Sequence, residues 1–164
     1  MDAAEARADI SGERTALLGG SYGGYMANWM AGHTGTRFSC IVSHASLWNV
    51  GQMAGTTDNG GWYEWMMPTQ EAIYSPHRFA EQIEVPMLVI HGDRDYRVPI
   101  GQSHALWQAL NRVAKVRGHK FLYFPDENHW VLKPSNSLVW YQTVMAFVDQ
   151  HVLGKEWHAP ELLG

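Results

Sequence analysis

Gly19-Gly20-Ser21-Tyr22-Gly23-Gly24 sets one serine and one tyrosine between two glycine pairs. Glycine loses more conformational freedom on folding than any other residue, so paired glycines mark a backbone that bends sharply or approaches something closely. The flanking residues decide between a loose loop and a forced turn. Upstream, TALLGG (15–20) is a short apolar run ended by glycine, which reads as a buried strand. Downstream, GGYMANWMAG (23–32) has the composition of a helix closed by Gly32. A serine between strand and helix, inside the pattern G-x-S-x-G, has the context in which a strained turn exposes a hydroxyl. The first amides of the helix then point to where negative charge would develop.

The same alternation runs outward from that turn. CIVSHAS (40–46) and PMLVIHG (86–92) read as buried strands, and KFLYFPD (120–126) as a fourth. Residues 49–84 are aromatic and rich in Gly and Pro, and predict short helices in an irregular stretch. A helix is predicted over 101–114, with Ala105, Leu106, Ala109, Leu110 and Val113 on its apolar face. The last helix is predicted over 135–153, with Leu138, Tyr141, Met145, Val148 and Val152 along one face and Gly154 as its stop. Short apolar strands alternating with helices predict an α/β fold: a parallel sheet of about four strands, covered on both faces. In such sheets, functional groups gather past the carboxyl ends of the strands.

Composition narrows the function. The chain has 164 residues, enough for one compact domain, and its 46% apolar and 17% charged residues exclude disorder. Its net charge is −4 with no basic run, which argues against nucleic acid and anionic membrane as partners. No apolar run approaches membrane-spanning length, and MDAAEARADI (1–10) lacks the apolar centre of a signal peptide. The one cysteine, Cys40, lies in an apolar run and reads as a buried thiol. These features point to a cytoplasmic protein. The nine histidines include no H-E-x-x-H pattern, so no metal is assigned and no cofactor is called for.

A serine nucleophile needs a base, and the base needs an orienting acid. The third predicted strand runs into His91-Gly92-Asp93-Arg94-Asp95-Tyr96-Arg97-Val98-Pro99, the fourth into Pro125-Asp126-Glu127-Asn128-His129-Trp130. Each supplies a missing residue type just past a strand end. The resulting chain order, Ser–Asp–His, is that of α/β-hydrolases. His129 is the candidate base. Periodicity does not choose between Asp93 and Asp95 as the acid.

Taken together, GGSYGGYMANW, MLVIHGDRDYRVP and FPDENHW resemble the catalytic domain of the prolyl oligopeptidase family of serine peptidases, nearest its acylaminoacyl-peptidase and dipeptidyl-peptidase branches. The resemblance runs from about residue 10 to 154. It implies Ser21 as nucleophile, His129 as base and, through the acid motif H-G-x-x-D, Asp95 as the orienting acid. It implies the Tyr22 N–H as an oxyanion donor and Arg97 as the group that binds a substrate carbonyl, a task suited to a planar guanidinium. A solvated arginine or a structural ion pair is the alternative for Arg97. Trp48 and Val98 match walls of the S1 pocket, and both residue types serve equally well as core. Trp62, Tyr63 and Trp65 fall in the stretch expected over the site, where packing is the alternative.

The resemblance also implies absences. The family's catalytic domain has strands before the nucleophile strand, a second oxyanion donor from a tyrosine hydroxyl, and a β-propeller that gates access. The expectation is that residues 1–164 are a single partial domain, the C-terminal part of an α/β-hydrolase fold, without the propeller or first strands. Short peptides are the implied substrates. The nucleophile strand would expose an edge for the missing N-terminal segment or for a homo-oligomer. An esterase, or a catalytically inactive interaction module, is the alternative to a peptidase.

Overall fold

The computed structural model describes residues 1–66 and 71–163. Four parallel strands, β1 (Ala16–Gly20), β2 (Cys40–His44), β3 (Met87–Gly92) and β4 (Lys120–Phe124), pair in chain order. Helices α1 (Asp2–Glu5), α2 (Tyr22–Ala31), α3 (Val50–Ala54), α4 (Gly60–Met66), α5 (Glu71–Tyr74), α6 (Gly101–Arg112) and α7 (Pro134–Leu153) complete the frame, with 3₁₀ turns at Pro76–Gln82 and Glu161–Leu163. The irregular stretch predicted at 49–84 holds three of these short helices; its residues 67–70 lie outside the described residues.

The period-2 geometry of a strand explains the layers. On one face, Ile41, Met87 and Val89 pack with Ala27 and Ala31 of α2 and Leu106 and Leu110 of α6. On the other, Cys40, Val42, Leu88 and Ile90 pack with Val139, Val144 and Phe147 of α7. β2 and β3 are therefore buried on both sides, which is why they read as continuous apolar runs. Cys40 is fully buried, and burial pushes its thiol up to about 12.

Two helix expectations need correction. The helix at 101 ends at Arg112, and Val113 beyond it is exposed. In α7, Leu138, Tyr141 and Met145 face outward, while Val139, Thr143, Val144 and Phe147 face the sheet. The helix carries apolar residues on two sides, so periodicity alone does not identify the buried one. Val148 and Val152 are partly buried at the rim of the core. Gly154 ends α7 at φ 68°, a left-handed conformation that glycine adopts without a Cβ penalty.

Candidate active site

Ser21 sits between β1 and α2 with φ 57° and ψ −120°, outside the usual regions for an L-residue. Its N–H donates to the His44 carbonyl at 2.9 Å, which ties the turn to β2. Close packing makes this turn dependent on Gly19: a Cβ there would lie 2.1 Å from the Gly23 carbonyl oxygen. Gly24 is equally constrained, since its Cβ would meet Ser46 Cβ at 2.5 Å, whereas one on Gly23 would meet nothing within 4 Å. The need for glycine thus falls on one residue of each pair. Buried polar groups brace the far side of α2. Asn28 Nδ2 donates to Ser46 Oγ (3.0 Å) and to the Leu47 carbonyl (2.8 Å), and Ser43 Oγ donates to Asn28 Oδ1 (2.7 Å).

As N-cap of α2, Ser21 makes no side-chain bond to the helix backbone. Its Oγ lies instead 2.9 Å from His129 Nε2. His129 Nδ1 lies 2.7 Å from Asp95 Oδ2. An ionised carboxylate only accepts, so Nδ1 donates and Nε2 is left to accept the Ser21 hydroxyl proton. Asp95 is 2% exposed. Its Oδ1 accepts the N–H groups of Arg97 (3.0 Å) and Val98 (2.8 Å). Burial works against its ionisation, but the hydrogen bonds from His129, His91 and the Val98 amide outweigh burial and hold the carboxyl down at about 2. Asp93 is exposed and lies beside Tyr123, so it is Asp95 that reaches the histidine.

The loop after β4 places His129. A Cβ on Gly92 would lie 2.4 Å from the Asn128 carbonyl oxygen, so the end of β3 and the loop after β4 approach backbone to backbone. Buried Glu127 accepts the N–H groups of Leu132 (3.1 Å) and Lys133 (3.0 Å) and the Asn136 amide (2.8 Å). These bonds clamp the loop onto the start of α7.

Ser21 and His129 open into a cleft of about 550 Å³, also lined by Asp58, Arg94, Tyr96, Arg97, Asn128 and Trp130. Arg97 reaches it as expected, and its Nε is 3.1 Å from Asp58 Oδ1. Thr57 Oγ1 donates to the Arg97 carbonyl (2.6 Å) and the Asp58 N–H to the Tyr96 carbonyl (3.0 Å), latching the 57–58 loop to the acid loop. Tyr22 is the first residue of α2, so its N–H has no carbonyl within the helix to bond.

Trp48 and Val98 are not brought to this cleft. Trp48 is 3% exposed within the core beneath α2 and α6, and Val98 is buried with Tyr25, Leu47, Val50 and Met53. Tyr63 packs on that second cluster, while Trp62 and Trp65 are exposed. Asp58 and His91 are the site residues that sequence reasoning missed. Asp58 had no signal, being distant in sequence from Arg97. His91 had one, a histidine inside an otherwise apolar strand. Among the described residues no cluster of three or more potential ligands could hold a metal ion.

Known proteins share this arrangement of strands. The acylaminoacyl peptidase of Pyrococcus horikoshii superposes with a TM-score of 0.84 at 22% identity, covering 97% of this chain and 27% of that one. A puromycin-hydrolyzing peptidase of Mycobacterium tuberculosis gives 0.81 at 25% identity, covering 92% and 24%. Dipeptidyl-peptidase 5 of Porphyromonas gingivalis is 32% identical, over 86% of this chain and 22% of that protein. Dipeptidyl-peptidase 5 of Aspergillus fumigatus is 35% identical, over 81% and 19%. The chain thus spans about a fifth of the length of the curated relatives it matches. The model of the prolyl oligopeptidase family matches residues 1–155, nearly the whole chain and all three motifs around the cleft, and the chain belongs to that family.

Proposed function

We propose that this chain carries the nucleophile, base and acid of a serine peptidase acting on short peptides. The observation that carries the reading is the hydrogen-bonded line from Ser21 Oγ through His129 to buried Asp95. Ser21 attacks the substrate carbonyl as its proton passes to His129 Nε2. The imidazolium stays in place because Asp95 holds Nδ1–H. Charge on the carbonyl oxygen meets the Tyr22 N–H and the N-terminal end of α2. His129 then protonates the leaving amine, which leaves the acyl group on Ser21 Oγ as an ester. Water gives a proton to His129 Nε2 and attacks that ester, and Ser21 Oγ departs with the proton as the acid is released. Arg97, steadied by Asp58, donates to a peptide carbonyl in the cleft.

Hydrolysis of a dipeptidyl or acyl-aminoacyl anilide, measured beside the ester of the same acyl group, tests this. Turnover of the anilide that disappears in Ser21→Ala supports a peptidase, and turnover of the ester alone supports an esterase. A second reading, an interaction module without catalysis, draws on one feature. Among the described residues β1 pairs on one side only, and Leu18 on it is 49% exposed. A preceding segment of a longer chain, or a second copy, would pair there. A folded chain that turns over neither substrate would favour that reading.

A further inference from the structure

His91, the penultimate residue of β3, lies on the same face as Met87 and Val89 and has no exposed surface. Its Nε2 lies 2.7 Å from the Val98 carbonyl oxygen and 3.1 Å from Asp95 Oδ2. A carbonyl only accepts, so Nε2 carries a hydrogen shared between these two oxygens. Nδ1 lies 2.6 Å from the hydroxyl of Ser103, itself fully buried in the first turn of α6. The ring therefore spans from the helix to the acid. One edge is anchored on α6, and the other holds both the carboxylate and the carbonyl that closes the Asp95–Val98 turn.

An apolar side chain of similar size would fill the space but leave the Val98 carbonyl and the Ser103 hydroxyl without these partners, and Asp95 Oδ2 with one donor instead of two. We propose that His91 is a positioning residue for the reaction proposed above, holding Asp95 Oδ2 in line with His129 Nδ1. It touches neither substrate nor Ser21, and it acts through Asp95.

The test compares His91→Leu, which removes the donor, with His91→Gln, which keeps one. Two readouts are used: steady-state kinetics on the anilide, and the low-field proton resonance of His129 Nδ1–H, which needs no turnover. His91→Leu is expected to lower kcat about 10- to 100-fold, by analogy with the loss of hydrogen-bond partners behind metal ligands, with KM little changed. His91→Gln should recover most of the loss. In an Asp95→Asn background, His91→Leu should cost almost nothing further, because the residue acts through the carboxylate. The resonance should vanish or move in His91→Leu and persist in His91→Gln. If His91→Leu fails to fold, Ser103→Ala frees the ring at its far edge and should lower kcat about fivefold, the loss of one hydrogen bond.

Unchanged kcat and resonance in folded His91→Leu would overturn the proposal. So would an equal loss of rate in the Asp95→Asn background, which marks general packing damage. A wild-type chain that turns over nothing, yet shows the resonance and loses it in His91→Leu, would refute the peptidase reading and keep the positioning role.

Discussion

The proposed acid and the proposed nucleophile stand past the ends of strands in one sheet, yet their surroundings differ. Asp95 follows β3, a central strand buried on both faces, and its two oxygens accept from His129, His91 and two backbone amides. Ser21 follows β1, which pairs only with β2 among the described residues and exposes Leu18 and Gly20. Burial with satisfied hydrogen bonds fixes the charge and position of the acid. The nucleophile is held by local backbone: the strained φ, the close contact under Gly19 and the bond from Ser21 N–H to β2. One side of the cleft is rigid because it is deep, the other because its turn is over-determined.

The largest effect expected from this contrast lies on the acid side. Asp95→Asn should lower kcat by about 10⁴-fold, the cost of losing the acid in such triads, while Asp93→Asn should stay within about twofold in the same kinetic assay. The opposite ranking would transfer the role to Asp93.

The next effect is on stability. Leu88→Ala, in the fully buried strand, should cost about 2–5 kcal/mol in urea unfolding, whereas Leu18→Ala on the open strand should cost under about 1 kcal/mol. Equal costs would mean that Leu18 is covered in solution, and would turn the open side of the comparison into an interface.

Smaller again is the contribution of Arg97. Arg97→Ala should raise KM for a peptide about tenfold, in line with a charge-assisted hydrogen bond, and leave KM for a small ester nearly unchanged. Equal shifts for both substrates would confine Arg97 to its pairing with Asp58.

The last is a pH effect. Burial, with the neighbouring imidazoles His91 and His129 acting in the same direction, pushes His44 down from its ordinary 6.5 to about 4. Between those values the unfolded chain binds the proton and the folded chain does not, so stability should rise with pH across that window. Asp95 adds a second window: its folded value of about 2 lies below the ordinary 3.8. Its contribution is complete above about 3.8 and lost as pH falls through 2. His44→Gln should flatten the upper window in urea titrations and leave the lower one intact.

Much of this arrangement was legible in the sequence. Strands buried on both faces must be continuous apolar runs, so MLVIHG and CIVSH declared themselves, and the glycine-rich turn marked the end of β1. Ser21 and His129 were legible because such chemistry needs those residue types past strand ends. Periodicity did not choose between Asp93 and Asp95, two residues apart in a turn; the resemblance through H-G-x-x-D chose Asp95, and the fold buries that one. Two things were not legible. The buried face of α7 was misassigned because Leu138, Tyr141 and Met145 make as apolar a stripe as Val139, Val144 and Phe147. Trp48 and Val98 are apolar residues beside a site, and residue type does not separate a pocket wall from core; the fold places them in the core.

Everything proposed for the cleft depends on Ser21 being activated within this chain by His129 and Asp95. Labelling of the purified 164-residue protein with a fluorophosphonate probe, beside Ser21→Ala, tests it most directly. One covalent adduct is expected on the wild-type chain and none on the variant. A folded wild-type chain that takes up no probe, or a Ser21→Ala chain labelled to the same extent, would contradict it.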